Sequence, residues 1–215
     1  GYTFMLTKQQ AQDLHGKTWD LFIDGAFVAP QPHEYFDLQS PANGAPIGKV
    51  AYAGDQDIAR AVESSHAAFR QWSAKTAYQR ETIIKKATRY AREQADTLGY
   101  LMAMEQGKPY AQSRKEIISS CDTIDFYAAE GVRIEGYSSP TEDSAVRSWV
   151  MYQPIGVCAI ITPWNYPVSL LSWKLGPTLA TGCTAVVKPT SVTPISPLAF
   201  CKALTDGGIP AGVLN

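Results

Sequence analysis

Apolar residues in this chain follow two spacings, and the points where one gives way to the other mark its elements. Between residues 21 and 28 the strand formers Phe22, Ile23, Phe27 and Val28 flank Asp24-Gly25. That dipeptide suits the positive-φ positions of a two-residue hairpin turn. Tyr35-Phe36-Asp37-Leu38 and residues 47–52 read as further short strands, separated by Pro41-Ala42-Asn43-Gly44. The opening is therefore expected to be a small β arm without catalytic duty. From Asp55 the spacing turns helical. Asp55 is expected to cap a helix running to Trp72, with Ile58, Val62, Ser65, Phe69 and Trp72 on one face. A longer helical stretch from Tyr78 repeats Ile84, Ala87, Ala91, Ala95, Leu98 and Met102. Gly107-Lys108-Pro109 stops it, with glycine past the end and proline opening the next helix. Ile117, Cys121, Ile124 and Ala128 mark that next helix. Amphipathic helices with charged outer faces are the cladding of a larger α/β core, so packing is the role expected of them.

Residues 136–143, with Ser138-Ser139-Pro140, read as a loop. Over 146–152, Val146, Ser148, Val150 and Tyr152 alternate with Arg147, Trp149 and Met151. That is the pattern of a half-buried antiparallel strand, and its aromatic residues suit pairing with another subunit. Next come Ile160-Ile161-Thr162-Pro163-Trp164-Asn165-Tyr166-Pro167, an apolar helical stretch over 168–181, and Thr184-Ala185-Val186-Val187-Lys188-Pro189. Together they predict a βαβ unit with polar residues at its strand ends, where open α/β sheets place their ligands. Ser196-Pro197 reads as the cap and first position of a helix through Leu204, ended by Gly207-Gly208-Ile209-Pro210, with a further strand starting at 213–215. A parallel sheet left at that point has an open hydrophobic edge, so the expectation is the first part of a larger protein.

Composition narrows the function classes. With 45% hydrophobic and 18% charged residues the chain can fill a core. A net charge of −1 and no local basic cluster speak against nucleic-acid binding. The longest apolar run, around 157–161, is far short of the roughly 18 residues of a membrane span. Cys121, Cys158, Cys183 and Cys201 show no CxxC spacing and are expected to be structural thiols. His15, His33 and His66 are scattered and suggest no metal site. Gly1-Tyr2-Thr3-Phe4 ahead of Met5 lacks the order of a signal peptide, and a cytoplasmic location is expected.

Two residues at the strand ends carry chemistry. Asn165, flanked by Pro163 and Pro167, presents an amide donor that suits an oxyanion. Asparagine also fills turns for purely structural reasons. Lys188 ends the second strand, where a mononucleotide-binding half reads the adenosine ribose. A solvated strand-end lysine is the bland alternative. No G-x-G-x-x-G follows the first strand, so the usual dinucleotide fingerprint is absent.

These residues resemble the aldehyde dehydrogenase superfamily. The similarity is carried by Thr162-Pro163-Trp164-Asn165-Tyr166-Pro167, Trp173-Lys174, Gly176-Pro177, Ala180-Thr181-Gly182-Cys183, Lys188-Pro189 with Thr193-Pro194, and Gly208-Ile209-Pro210-Ala211-Gly212-Val213-Leu214-Asn215. Glu105-Gln106-Gly107-Lys108-Pro109 and Phe22-Ile23-Asp24-Gly25 fit the same family. The resemblance implies an α/β fold: an incomplete Rossmann-like coenzyme-binding domain with N-terminal helices and a β oligomerisation arm. On it the chain divides into a tail (1–20), a β arm with helices (21–135), oligomerisation-arm strands (136–153) and the first βαβα part of the NAD(P)-binding domain (154–215).

The resemblance further implies that Ile161, Thr162, Pro163 and Trp164 line the coenzyme groove, that Lys188 contacts the ribose, and that Asn165 steadies the oxyanion of a thiohemiacetal. The cofactor is NADP or NAD, the partner an aldehyde, and the complete protein a homo-oligomer. In the family reaction a cysteine thiolate attacks the aldehyde and a glutamate activates water. Neither motif occurs in these 215 residues, so this chain alone is expected to be inactive. The rival expectation is a stand-alone, non-catalytic chain that binds a nucleotide or a partner. Ser191 stands where NAD-preferring relatives often carry a glutamate, which favours tolerance of NADP. The nearest-looking relatives are succinate-semialdehyde dehydrogenases, but Trp173 replaces the arginine that holds their substrate's carboxylate. Tyr166 and Trp173 then suit a generic aliphatic or aromatic aldehyde first, a cationic aldehyde second and an acid semialdehyde third.

Overall fold

The computed structural model describes residues 8–215; the expectation attached to Gly1-Tyr2-Thr3-Phe4 falls outside them. Helix α1 (Lys8–Asp13) leads into five short strands: β1 (Lys17–Trp19), β2 (Leu21–Ile23), β3 (Ala26–Val28), β4 (Tyr35–Gln39) and β5 (Pro46–Ala51). β2 and β3 form the expected hairpin, with Asp24 at φ 54 and Gly25 at φ 76, the two positive values that such a turn demands. β4 and β5 pair antiparallel, and β1 adds in parallel on the other side of β5. Residues 17–19 are therefore part of the sheet and not of a tail. Trp19 is buried with Leu38, Ile47, Val50, Leu101 and Ile195 in a satellite core.

Helices α2 (Asp55–Ser73), α3 (Ala77–Glu93), α4 (Ala95–Gln106) and α5 (Tyr110–Gly131) follow. α2 starts where expected, but Asp55 does not cap it. The N-cap is Gly54, and the buried Asp57 carboxylate accepts from the Gly54 and Gln31 amides at 3.0 and 2.8 Å. Its buried face runs through Ala61, Ser65 and Trp72, while Ile58 and Val62 are exposed. Small residues are needed there because the Ser65 hydroxyl donates to Ala185 O at 3.1 Å and Thr184 Oγ1 donates to Ser65 O at 2.9 Å. The stretch from Tyr78 is two helices, broken at Gln94, although every residue of its apolar stripe is buried as expected. Gly107 ends α4 at φ 79, the left-handed conformation that glycine adopts without cost. α5 buries Ile117, Cys121, Ile124 and Ala128 against the same core.

The expected loop at 136–143 contains β6 (Tyr137–Ser139), which pairs antiparallel with β7 (Ser148–Val150); this strand is shorter than 146–152. The βαβ unit is β8 (Val157–Ile161), α6 (Ser169–Ala180) and β9 (Thr184–Lys188), with the two strands parallel. α7 (Ile195–Asp206) begins behind Pro194, earlier than the expected Ser196-Pro197 start. A third parallel strand begins as expected: Ala185 N donates to Val213 O at 2.8 Å and Asn215 N to Ala185 O at 3.0 Å. Leu171, Leu175 and Leu179 of α6 sit with Ile160 and Ala185 in the main core, and α6 lies against α5 so closely that a Cβ on Gly176 would meet Tyr127 at 2.9 Å. This α/β core holds the carboxyl ends of β8 and β9 side by side.

Candidate functional site

At those carboxyl ends the strand register pairs Ile161 with Lys188, and the Thr162 amide donates to Lys188 O at 3.4 Å. Residues 162–168 then turn into α6, whose first bonds, Leu170 N to Tyr166 O and Ser172 N to Val168 O, are 3.0 and 2.9 Å. Pro167 is buried and Pro163 exposed, which pins one side of the turn and leaves the other open. Asn165 lies between them with an exposed side chain, while its carbonyl accepts from Gln106 Nε2 at 3.2 Å. Ile161 and Trp164 are 66% and 57% exposed, forming an apolar shelf beside exposed Lys188. Exposed apolar side chains beside a strand-end ammonium, at the carboxyl ends of a parallel pair, are the setting in which open α/β sheets take ligands. Thr162 differs from expectation in being buried, so it joins the strand ends and offers no side chain to the shelf.

Neither α6 nor α7 caps its own N-terminus: the N-caps are Val168 and Pro194, without a side-chain bond. Amides at a helix start have no partner inside the helix, and at both starts a distant carboxylate accepts from two of them. Glu105, at the end of α4, accepts from Ile195 N at 2.7 Å, Ser196 N at 2.7 Å and Ser196 Oγ at 2.5 Å. Its pKa is pushed from the ordinary 4.5 to about 7 by burial, against the pull of the Ser196 and Ile195 donors. Glu116, on α5, accepts from Val168 N at 3.2 Å and Ser169 N at 3.1 Å. Its other oxygen pairs with Lys108 Nζ at 2.5 Å, and that ammonium lies 4.1 Å from the Tyr166 ring centroid.

Tyr166 lies in the turn ahead of α6, and Trp173 stands on the helix itself, seven residues further on. Trp173 opens into a cleft of about 510 Å³ lined also by Asp122, Thr123, Phe126 and Tyr127. Asp122 is already paired with Arg92 at 2.7 Å, which offsets its charge there. Ser191 and Val192 are exposed in the loop between β9 and α7. The thiols are not prepared for nucleophilic work. Burial pushes Cys121 and Cys201 up to about 12, and Cys158 is raised by burial and by the neighbouring Cys183. Among the described residues no cluster of His, Cys, Asp and Glu could hold a metal ion, and no helix is long and apolar enough to cross a membrane.

The structure thus gathers Ile161, Thr162, Pro163, Trp164, Asn165 and Lys188 at one sheet end, with Ser191 on the next loop, Tyr166 in the turn before α6 and Trp173 on that helix. The sequence reading missed Glu105, Gln106, Lys108 and Glu116 as parts of this surface. A signal was present: Leu98 and Met102 lead, at helical spacing, to an acid at 105 where an apolar residue belongs.

The model of the aldehyde dehydrogenase family matches residues 27–215. Succinate-semialdehyde dehydrogenase [NADP(+)] GabD of Escherichia coli is 40% identical over 193 residues, which are 90% of this chain and 40% of that protein. Among solved structures, an aldehyde dehydrogenase from Bacillus cereus (G224D mutant) superposes with a TM-score of 0.91 at 31% identity, covering 99% of this chain and 44% of the other. PnpE in complex with nicotinamide adenine dinucleotide gives 0.87 at 35% identity, covering 91% and 40%. The chain therefore spans about 40% of the length of the curated relative it matches.

Proposed function

This chain belongs to the aldehyde dehydrogenase family, and from that premise we propose that it forms the coenzyme and oxyanion side of an NAD(P)-dependent aldehyde-oxidising site. The observation that carries this reading is the register of Ile161 with Lys188, which puts the apolar shelf, the lysine and the Asn165 turn at one sheet end. When bound, a nicotinamide dinucleotide supplies the hydride acceptor. Ile161 and Trp164 give its adenosine an apolar seat, and Lys188 meets the ribose. Ser191, which brings no carboxylate to that ribose, tolerates a 2′-phosphate, in keeping with the NADP(+) in GabD's name. Asn165 donates its amide to the oxygen of the aldehyde carbonyl as it becomes the oxyanion of a thiohemiacetal. The water-derived oxygen ends in the carboxylic acid.

The thiolate and the activating base are not among these residues. Buried, high-pKa thiols are poor nucleophiles, so the 215 residues alone are inactive in this reading. The cleft at Trp173 is aromatic, has no cation among its lining residues and has its acid already paired. It suits an aldehyde with an apolar tail ahead of a cationic one, and a succinate-type carboxylate least. The hairpin of β6 and β7, with Trp149 73% exposed, is the surface through which copies associate. Unpaired cysteines suit a reducing, cytoplasmic setting.

Asn165→Ala in the complete enzyme tests the site. Steady-state kinetics are expected to show kcat reduced by roughly 10²–10³, the effect of removing one oxyanion donor. An unchanged kcat would remove Asn165 from the mechanism.

A further inference from the structure

Resting on the site reading above, we infer that the turn between α4 and α5, through Glu105, Gln106 and Lys108, is a two-armed clamp that positions the coenzyme loop and the substrate turn independently. Each arm reaches a different feature of the site. The Glu105 carboxylate holds Ile195 N, Ser196 N and Ser196 Oγ at 2.5–2.7 Å, and so fixes the start of α7. The loop 189–194 runs from Lys188, fixed by β9, to that start. Ser191 therefore hangs between two anchored ends, and the second anchor is Glu105.

The other arm leaves in a different direction because Gly107 reverses the chain at φ 79 between Gln106 and Lys108. A Cβ at that glycine would also meet Pro41 Cγ at 3.0 Å, so the turn has no room to be rebuilt with a larger residue. Gln106 Nε2 donates to Asn165 O at 3.2 Å, and Lys108 Nζ sits 4.1 Å from the Tyr166 ring. Lys108 also holds Glu116, which takes the Val168 and Ser169 amides at the start of α6. The backbone at Asn165 is thereby fixed while the residue itself stays exposed. None of these clamp residues touches the proposed ligands; they act through Ser191, Asn165 and Tyr166, and are positioning residues.

The two arms predict a crossed pattern in the complete enzyme. Glu105→Gln and Ser196→Ala are expected to raise the coenzyme KM, by about tenfold for the first, with the aldehyde KM and kcat close to wild type. Gln106→Ala and Lys108→Met are expected to lower kcat, by about 10- to 100-fold for the second, with the coenzyme KM close to wild type; misplacing a reacting group by about 1 Å costs on that order. Gln106→Ala and Ser196→Ala each remove one contact, so the test survives if the stronger variants do not fold. A merely structural turn would move both constants together in every variant, and that result, or no change in either, overturns the clamp. Lys188→Ala and Asn165→Ala serve as direct controls. If the first leaves the coenzyme KM and the second leaves kcat unaltered, the site reading falls and the clamp with it. If both controls respond and the crossed pattern is missing, the clamp alone falls.

Discussion

Glu105 and Glu116 do the same job at two helix starts under opposite electrostatic conditions. Both are buried, and both accept backbone amides from a helix that does not cap itself. Glu116 has a cation, Lys108, 2.5 Å away, with both side chains largely withdrawn from water. Glu105 has three hydrogen-bond donors and no ion-pair partner among the described residues. The consequence is that one carboxylate has its charge balanced by a neighbouring ammonium. The other meets the cost of burial by holding its proton more tightly, up to about pH 7. The first cap is broken by removing a charge; the second is altered by changing the pH.

The largest expected effect comes from the paired side. Lys108→Met strands the Glu116 carboxylate in the core, and breaking a buried pair from one side costs about 3–5 kcal/mol. Urea denaturation of the complete protein is expected to show a loss of that size. Adding Glu116→Gln to the same chain should recover a large part of it, because the stranded charge is gone. A loss below about 1 kcal/mol, the value of a surface pair, would mean that water reaches this pair.

The unpaired side predicts a smaller effect that varies with pH. The Glu105 pKa is about 4.5 when unfolded and about 7 when folded, so the native state binds the proton more tightly. Its contribution to stability is complete below pH 4.5 and is lost as the pH rises through 7; over that interval it amounts to about 3 kcal/mol. Glutamine does not titrate, so the unfolding free energy of wild type minus that of Glu105→Gln should fall by about this amount between pH 4 and pH 8. A flat difference would show that Glu105 titrates alike in the folded and unfolded chain, its three donors offsetting burial.

How far the sequence foretold this surface follows from where its signals come from. The hairpin at Asp24-Gly25, the βαβ unit and the end of α4 at Gly107 were legible because turn chemistry and strand composition act locally. The break at Gln94 was not. Ala91, Ala95, Leu98 and Met102 keep helical spacing across it and are all buried, so the apolar stripe carries no mark of the interruption. On α2 the expected stripe held Ser65 and Trp72, which are buried, but also Ile58 and Val62, which are exposed; close approach to β9 brings Ala61 onto that face instead, and size rather than polarity decides it. Asn165 and Lys188 stood out by sitting at strand ends, a topological position that sequence can give. Glu105 and Glu116 did not, because the helix start a carboxylate caps lies 52 to 91 residues away; an acid in the apolar stripe at 105 marks the residue and leaves its partner unnamed. α7 accordingly begins at Ile195, where the remote carboxylate is, and not at the local Ser196-Pro197 signal.

The finest test of the contrast is Ser196→Ala, which removes one of the three donors to Glu105 and leaves both backbone amides in place. One hydrogen bond to a charged group is worth about 1.5–3 kcal/mol and a neutral one about 1, so the size of the loss reports the charge on Glu105. Near pH 8, with the carboxylate ionised, Ser196→Ala should cost close to 2 kcal/mol; near pH 5, with it protonated, about 1 kcal/mol. In the Glu105→Gln background the same substitution should lose its pH dependence, and the coupling energy of the double-mutant cycle between the two positions should shrink as the pH falls. If the coupling between Glu105 and Ser196 does not move with pH, Glu105 keeps one charge state over this range and the contrast between a paired and an unpaired carboxylate is lost.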